Sequence, residues 1–168
     1  MDVFKAIRTR RSIRKFMEKP VEKQKLSKIF EAVRLAPSAM NRQPYNLIVV
    51  TDGQTKEKLS SACNQEWAAP IMIVVCAFPY ESWVKEDGEE YWKADAAISM
   101  HSLSLAAVGE GLGTCWIAAF KEEKVRRILG IPSEVCVMAM TPLGYPAEKK
   151  GPPTKSKTLE ELIRYEKW

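Results

Sequence analysis

Histidine and closely paired cysteines, the usual ligands of a protein metal site, are scarce in this sequence. The 168 residues include one histidine, His101, and four cysteines, none of which has a partner at C-x-x-C spacing. His101 lies in an apolar stretch with helical periodicity and has no cysteine or carboxylate at ligand spacing, so we expect it to be packed or at an interface. We therefore predict no metal site and no Ser-His-Asp triad. If the protein is an enzyme, the difficult chemistry belongs to a bound cofactor.

A strong charge of one sign and a long hydrophobic run are also missing. The 26 basic and 21 acidic residues leave a net charge of +5, whereas a domain that binds nucleic acid over a broad face usually carries a larger excess. The longest apolar run, near residues 68–78, is too short to span a bilayer. The charged start has no signal-peptide pattern. We expect a cytoplasmic protein with neither a nucleic-acid nor a membrane partner.

Hydrophobic periodicity predicts a mixture of helices and strands. Helices are expected at residues 2–8, 22–35, 55–63, 91–109 and 121–129, and strands at 46–51, 70–78, within 111–120 and at 135–143. The strand at 70–78 is apolar at nearly every position, so both its faces should be covered. The helix at 91–109 is apolar most of the way round, which predicts burial, and its small residues favour close approach of another helix. With no repeat or linker, we predict a single α+β domain of residues 1–168.

The most distinctive stretch is basic and lies near the start of the chain. Five cationic side chains and two hydroxyls fall within the nine residues from Arg8 to Phe16. Arginine offers a planar fork of donors and serine or threonine adds neutral ones, which suits a phosphate. On this stretch alone, a solvated basic face or an arm for nucleic acid is the better interpretation. A second basic group at residues 149–157 favours the view that both ends converge on one small anion.

Two further loops carry candidate residues. Pro37 and Pro44 frame a run of small and amide-bearing residues, which predicts an ordered loop. The G-x-G-x-G pattern at residues 109–113 is not a dinucleotide fingerprint, because it follows a helix and opens a strand. Trp116, just past this glycine turn, is as compatible with a binding surface as with the core.

Taken in order, these pieces resemble the nitroreductase family of FMN-dependent oxidoreductases. The resemblance covers nearly the whole chain and rests on five blocks in the family's order and spacing: RTRRSIRKF, APSAMNRQPYNLIVV, AAPIMIVVCA, ADAAISMHSLSLAAVGEGLGTCWIAAF and PLGYPAEKKGPPTKSKTLEEL. It implies an α+β sandwich with a mostly antiparallel central sheet flanked by helices. It also implies an intertwined homodimer with exchanged C-terminal tails and FMN at the subunit interface.

The same resemblance implies which residues bind the cofactor. The basic segment should hold the ribityl phosphate and the pyrimidine edge of FMN, and two tail lysines should close on the phosphate. The loop after the second helix should come from the other subunit and line the flavin ring. Residues 116–118 should lie behind the ring. The implied residues are Arg10, Arg11, Ser12, Arg14, Pro37, Ser38, Ala39, Asn41, Gln43, Trp116, Ile117, Ala118, Lys155 and Lys157. No side chain is implied as a catalytic residue, although Arg14 could stabilise the reduced flavin electrostatically.

The activity implied is hydride transfer from NAD(P)H through flavin N5 to a flat acceptor such as a nitroaromatic or a quinone. Two alternatives stay open: a flavin-binding storage or sensing protein without broad reductase activity, and a basic α+β domain that binds nucleic acid. The sequence determines neither the natural acceptor nor the choice between NADH and NADPH.

Three features do not follow the family pattern clearly. Ala118 stands where glycine is common, which could narrow the space near flavin N5. Asn64 and Gln65 lie near a segment that often touches the flavin, but their register is too loose to assign them. The acidic connection from Tyr80 to Glu90 matches no motif and is a candidate lid over the substrate, with these aromatic residues as possible ring contacts: Tyr80, Trp83, Tyr91 and Trp92.

Overall fold

An antiparallel sheet lies at the centre of the fold. The computed structural model describes residues 2–63, 65–153 and 155–168. Within these residues four strands form one sheet in the order β1-β2-β4-β3. The strands are β1 (Tyr45–Val50), β2 (Ile71–Ala77), β3 (Gly113–Thr114) and β4 (Cys136–Gly144), and every neighbouring pair is antiparallel. With helices packed on the sheet, the architecture is the predicted α+β class.

Helices account for most of the remaining regular structure. In the described part of the chain they are α1 (Val3–Thr9), α2 (Lys23–Arg34), α3 (Gly53–Ser60), α4 (Trp92–Gly109), α5 (Glu122–Leu129) and α6 (Leu159–Leu162). The first five lie within a few residues of their predicted bounds, and α6 is a single turn that the periodicity did not predict. Asp2 begins α1 by accepting a hydrogen bond from the Lys5 N–H at 3.3 Å. None of the described helices is long and apolar enough to cross a membrane.

The two faces of the sheet are covered by different helices. On one face, Ile73 and Val75 of β2 belong to a core cluster with residues of α2 and α4. On the other face, Met72 and Val74 join residues of α3 and α5. Every residue of β2 is buried, which confirms the prediction that this strand is covered on both faces.

Helix α4 is less completely buried than its sequence predicted. The side that packs on the sheet and α2 contains Ala96, Met100 and Leu103, all of which are buried. The opposite side is open to solvent, and Ile98 there is 39% exposed. His101 is also exposed on this side. The apolar residues of α4 are therefore divided between the core and an uncovered strip on the surface of a single chain.

The third strand is shorter than predicted. Only Gly113–Thr114 pairs regularly with β4, and one isolated bridge follows at Ile117. The ladder is interrupted because the Cys115 N–H donates to the hydroxyl of Thr141, at 3.2 Å, and not to a carbonyl of β4. Beyond this break Trp116 is 42% exposed, so the chain here lines the surface.

The basic segment that follows α1 runs along the edge of β3 and the end of β4. The Ile13 N–H donates to the Thr114 carbonyl, and the Met17 N–H donates to the Tyr145 carbonyl, each at 2.9 Å. This close approach requires glycine in β3, because a Cβ on Gly113 would lie 2.7 Å from Cγ1 of Ile13. The cationic residues are therefore carried on an extended strip that is bonded to the sheet.

We predict that Gly113→Ala lowers the free energy of unfolding by about 1–3 kcal/mol, because the added methyl group overpacks the contact with Ile13. The measurement is urea denaturation of the purified protein. Gly53→Ala is the matched control, since a Cβ at Gly53 meets no atom within 4 Å. Equal unfolding free energies for the two variants would contradict the close contact.

Candidate functional site

The thiol of Cys115 and the side chain of Arg14 line one small cavity. Burial raises the pKa of Cys115, and the guanidinium of Arg14, the hydroxyl of Ser12 and the guanidinium of Arg10 partly offset this effect. The thiol therefore stays protonated at neutral pH and does not behave as a reactive thiolate. A backbone bridge between Ser12 and Thr114 places this part of the basic segment beside the start of the 115–119 stretch.

The arginines of this segment are not equivalent. Within the described residues, neither Arg10 nor Arg14 makes an ion pair or donates a side-chain hydrogen bond. Arg11, in contrast, donates from Nε to the Gly151 carbonyl at 2.7 Å and from Nη1 to the Arg8 carbonyl at 2.8 Å. Arg10 and Arg14 thus have donors available for an anion, while Arg11 ties the start of the tail to the segment.

The carboxylate of Glu148 binds the backbone of the basic segment. It accepts hydrogen bonds from the backbone N–H groups of Arg14 (2.6 Å) and Lys15 (3.3 Å), and it pairs with Lys150 at 3.0 Å. The bond from the Arg14 backbone, followed by the Lys150 ammonium, lowers the pKa of Glu148. The carboxylate is therefore charged at neutral pH, and it is satisfied without using the Arg14 guanidinium.

Arg14 stands at a shallow cavity of about 160 Å³. Trp116, Ile117 and Ala118 form part of its wall, and Ile117 is fixed by backbone hydrogen bonds of 2.9 and 3.0 Å to and from Met140. Ligand clefts usually measure roughly 300–1,000 Å³, so a single chain provides only part of a site for a large ring system. The lining residues are Arg14, Cys63, Gln65, Trp67, Cys115, Trp116, Ile117, Ala118 and Ala119.

A larger depression of about 630 Å³ adjoins this cavity and shares three of its residues, Cys63, Gln65 and Trp67. Its lysine, Lys56, donates to two backbone carbonyls at 3.0 and 2.9 Å, so its ammonium is already engaged. The larger depression contains neither of the available guanidinium groups. We therefore place the candidate site at the smaller cavity, on the basis of its chemistry.

The proline-framed loop is ordered, and its backbone is strained. Met40, Asn41 and Gln43 have φ angles of 53°, 53° and 49°, in the left-handed region that residues other than glycine seldom adopt. Conformations of this kind persist only where surrounding contacts impose them, and they are concentrated at functional sites. The strain marks this loop as a second candidate region.

Side chains of the loop itself and of α4, together with a backbone carbonyl of α2, hold the loop in place. The Gln43 N–H donates to Oγ of Ser38 at 3.0 Å, and Nε2 of Gln43 donates to the Arg34 carbonyl at 2.8 Å. The Ala39 N–H donates to Oδ1 of Asp95 at 2.9 Å. The predicted order of the loop is therefore present, and α2 and α4 both contribute to it.

The acidic connection after β2 packs beside this loop. Nη1 of Arg42 donates to the Ser82 carbonyl at 2.8 Å. Trp83 and Tyr91 meet edge to face, with ring centroids 5.1 Å apart, while Tyr80 is 64% exposed. The contact joins the connection to the loop, and its use as a lid over a substrate stays a prediction.

The predicted site residues form two groups within one chain. Arg14 of the basic segment lines the small cavity together with residues 116–118, whereas the proline-framed loop is bonded through Ala39 to the first turn of α4. No hydrogen bond or ion pair among the described residues joins the two groups. Lys155 and Lys157 belong to neither group, because they lie on an exposed tail that leads into α6.

Three side chains that define these groups are not among the predicted site residues, although Gln65 lies in the segment whose register was too loose to assign. Gln65 and Trp67 line the cavity, but their segment has no periodic pattern to fix its register. Asn64 lies outside the described residues. Asp95 is given no role by the sequence pattern, although a carboxylate on an otherwise apolar helix is a signal that could have been used.

Comparison with known proteins identifies one family. A family model described as the nitroreductase family matches residues 7–70 and 67–145 of the chain. A protein of Methanothermobacter thermautotrophicus, provisionally named NADH dehydrogenase/NAD(P)H nitroreductase, is 36% identical over 100% of this chain and 88% of its own length.

Two solved structures from Clostridium difficile share the fold. A nitroreductase family protein of strain 630 gives a TM-score of 0.91 at 29% identity, with 100% of both chains covered. An FMN-dependent nitroreductase of strain R20291 gives a TM-score of 0.84 at 29% identity, with 97% of this chain and 98% of that chain covered. On the sequence match and the shared fold together, the chain belongs to the nitroreductase family.

Proposed function

We propose that the protein is an FMN-dependent NAD(P)H oxidoreductase that reduces a flat acceptor such as a nitroaromatic or a quinone. The observation that carries the proposal is the available guanidinium group of Arg14 at a cavity walled in part by Trp116–Ala118, with Arg10 on the same extended strip. Family members named NAD(P)H nitroreductase and FMN-dependent nitroreductase support this cofactor and this electron donor. In this proposal the whole chain, residues 1–168, is one FMN-binding domain that works in the cytoplasm.

The basic segment fits the phosphate of FMN. A phosphate dianion is held best by several charge-assisted hydrogen bonds, and Arg10, Ser12 and Arg14 supply donors from one extended strip. The backbone of the strip is bonded to the sheet, so only the side chains must rearrange to bind an anion. Lys155 and Lys157 would add two ammonium groups from the tail.

One chain provides only part of the wall around a flavin ring, so we propose that a second copy provides the rest. Residues 37–43 of the other subunit would then line the ring opposite residues 116–118. The uncovered strip of α4 around Ile98 offers apolar surface for such a dimer. The tail would reach over the other subunit with side chains that are exposed in a single chain, namely Leu159, Leu162, Ile163 and Tyr165.

FMN, once bound, would supply the redox chemistry by accepting a hydride at N5 from NAD(P)H and passing it to the acceptor. The residues of this chain would bind and orient FMN and shield its ring from water. Arg14 would place a positive charge beside the ring, where added electrons increase the negative charge. Trp116 and Ile117 would cover one face of the ring from water. No protein nucleophile is needed, since donor and acceptor would use the same slot in turn.

The test of this proposal is an absorption spectrum of the purified protein, followed by anaerobic additions of NADH and NADPH. We expect flavin bands that bleach with a nicotinamide and recover when a nitroaromatic or a quinone is added. A flavin spectrum that neither nicotinamide bleaches would contradict the oxidoreductase and favour a storage or sensing protein. A colourless protein that FMN cannot reconstitute would contradict the cofactor. Salt-dependent nucleic-acid binding by such a protein would favour the basic-domain alternative.

Replacing Arg10 with alanine should weaken FMN binding by about 1.5–3 kcal/mol, because a charge-assisted hydrogen bond to the phosphate is lost. The dissociation constant would then rise roughly 10- to 150-fold, as measured by quenching of flavin fluorescence.

Arg127→Ala is the matched control for this variant. It removes the same charge from an exposed position on α5 that does not line the candidate cavity. We expect this variant to bind FMN like the unchanged protein. Equal losses in the two variants, or no loss in Arg10→Ala, would contradict the assignment of Arg10 to the phosphate.

A further inference from the structure

The strained loop is held by a carboxylate that is almost completely buried. Asp95, in the first turn of α4, is 1% exposed, and its Oδ1 accepts the hydrogen bond from the Ala39 N–H at 2.9 Å. Its second oxygen, Oδ2, is buried and has no hydrogen-bond partner among the described residues. Burying a carboxylate is unfavourable unless its oxygens are paired. A carboxylate at this position therefore needs an explanation other than packing.

The hydrogen bond lies where the loop enters its strained conformation. Ala39 directly precedes Met40 and Asn41, both of which have a φ of 53°. The bond between Ser38 and Gln43 spans the same turn, but it can form only after the chain has turned. The contact with Asp95 comes from a different element, so it can hold the turn from outside.

We propose that Asp95 is a positioning residue that sets the conformation of residues 38–43, and thereby the wall that this loop presents to bound FMN. The second part of this inference rests on the proposed function. A hydrogen bond to a charged acceptor is roughly twice as strong as one to a neutral acceptor, so a carboxylate holds the Ala39 N–H more firmly than an amide would. The buried carboxylate of Asp95 therefore helps to hold the turn in its strained conformation.

Three variants separate positioning from general stability. Asp95→Ala removes the acceptor, and Asp95→Asn keeps a neutral acceptor of the same shape. Ser99→Ala is the matched control, because Ser99 is fully buried one turn further along α4 and, among the described residues, its hydroxyl bonds only to the Ala96 carbonyl. The thermal midpoint of each variant is measured first, so that the comparisons are made on folded protein.

The first readout, trypsin cleavage after the exposed Arg42, does not need the cofactor. In protein stripped of FMN, we expect cleavage to be about tenfold faster in Asp95→Ala, because release of the loop exposes this bond. Asp95→Asn should be intermediate, and Ser99→Ala should match the unchanged protein. The second readout is the FMN dissociation constant, which should rise by about tenfold in Asp95→Ala and by less in Asp95→Asn.

Unchanged cleavage after Arg42 in both Asp95 variants would overturn the inference. Equally fast cleavage in Ser99→Ala would also overturn it, because it would indicate general loosening of α4. Faster cleavage with an unchanged FMN dissociation constant would overturn the link between the loop and the flavin. If the protein binds no FMN at all, the proposed function fails, while the cleavage rates still decide whether Asp95 holds the loop.

Discussion

The contact between the basic segment and the sheet edge depends on two residues that lack a side chain. A Cβ on Gly113 would collide with Ile13, and one on Gly144 would lie 2.6 Å from Pro70 and 3.3 Å from the Phe16 ring. Because the segment lies flat against these glycines, its backbone can bond to β3 and to the end of β4. The fold thereby fixes the backbone that carries a row of cations, so binding an anion has to order only their side chains.

Two separate parts of the chain contribute different features to the candidate site. The basic segment and the 115–119 stretch provide positive charge and an apolar wall, and the loop at residues 38–43 provides a strained backbone held by Asp95. Neither part encloses a ligand in a single chain. A dimer in which each site combines the basic segment of one subunit with the loop of the other would use both, and the uncovered strip of α4 would then be buried.

Elements that depend on neighbouring residues could be predicted from the sequence, whereas features that depend on contacts between residues far apart in the sequence could not. The helix α2 and the strand β2 were predicted correctly because each depends on the hydrophobic pattern of its own residues. The early end of β3 depends on a hydrogen bond from Cys115 to Thr141, 26 positions away. The basic stretch was recognised as anion-binding chemistry, but only the fold shows that Arg11 is engaged by the Gly151 carbonyl.

The measurement that tests a shared site most directly is FMN stoichiometry in a mixed dimer. One subunit carries Arg10→Ala with Arg14→Ala, and the other carries Ser38→Ala with Asn41→Ala. If each site draws on both subunits, one site in the mixed dimer has every defect and the other has none. The account predicts tight binding of one FMN per mixed dimer, although neither double variant binds FMN tightly as a homodimer. Loss of tight binding in the mixed dimer would show that each site lies within one chain and would contradict the account.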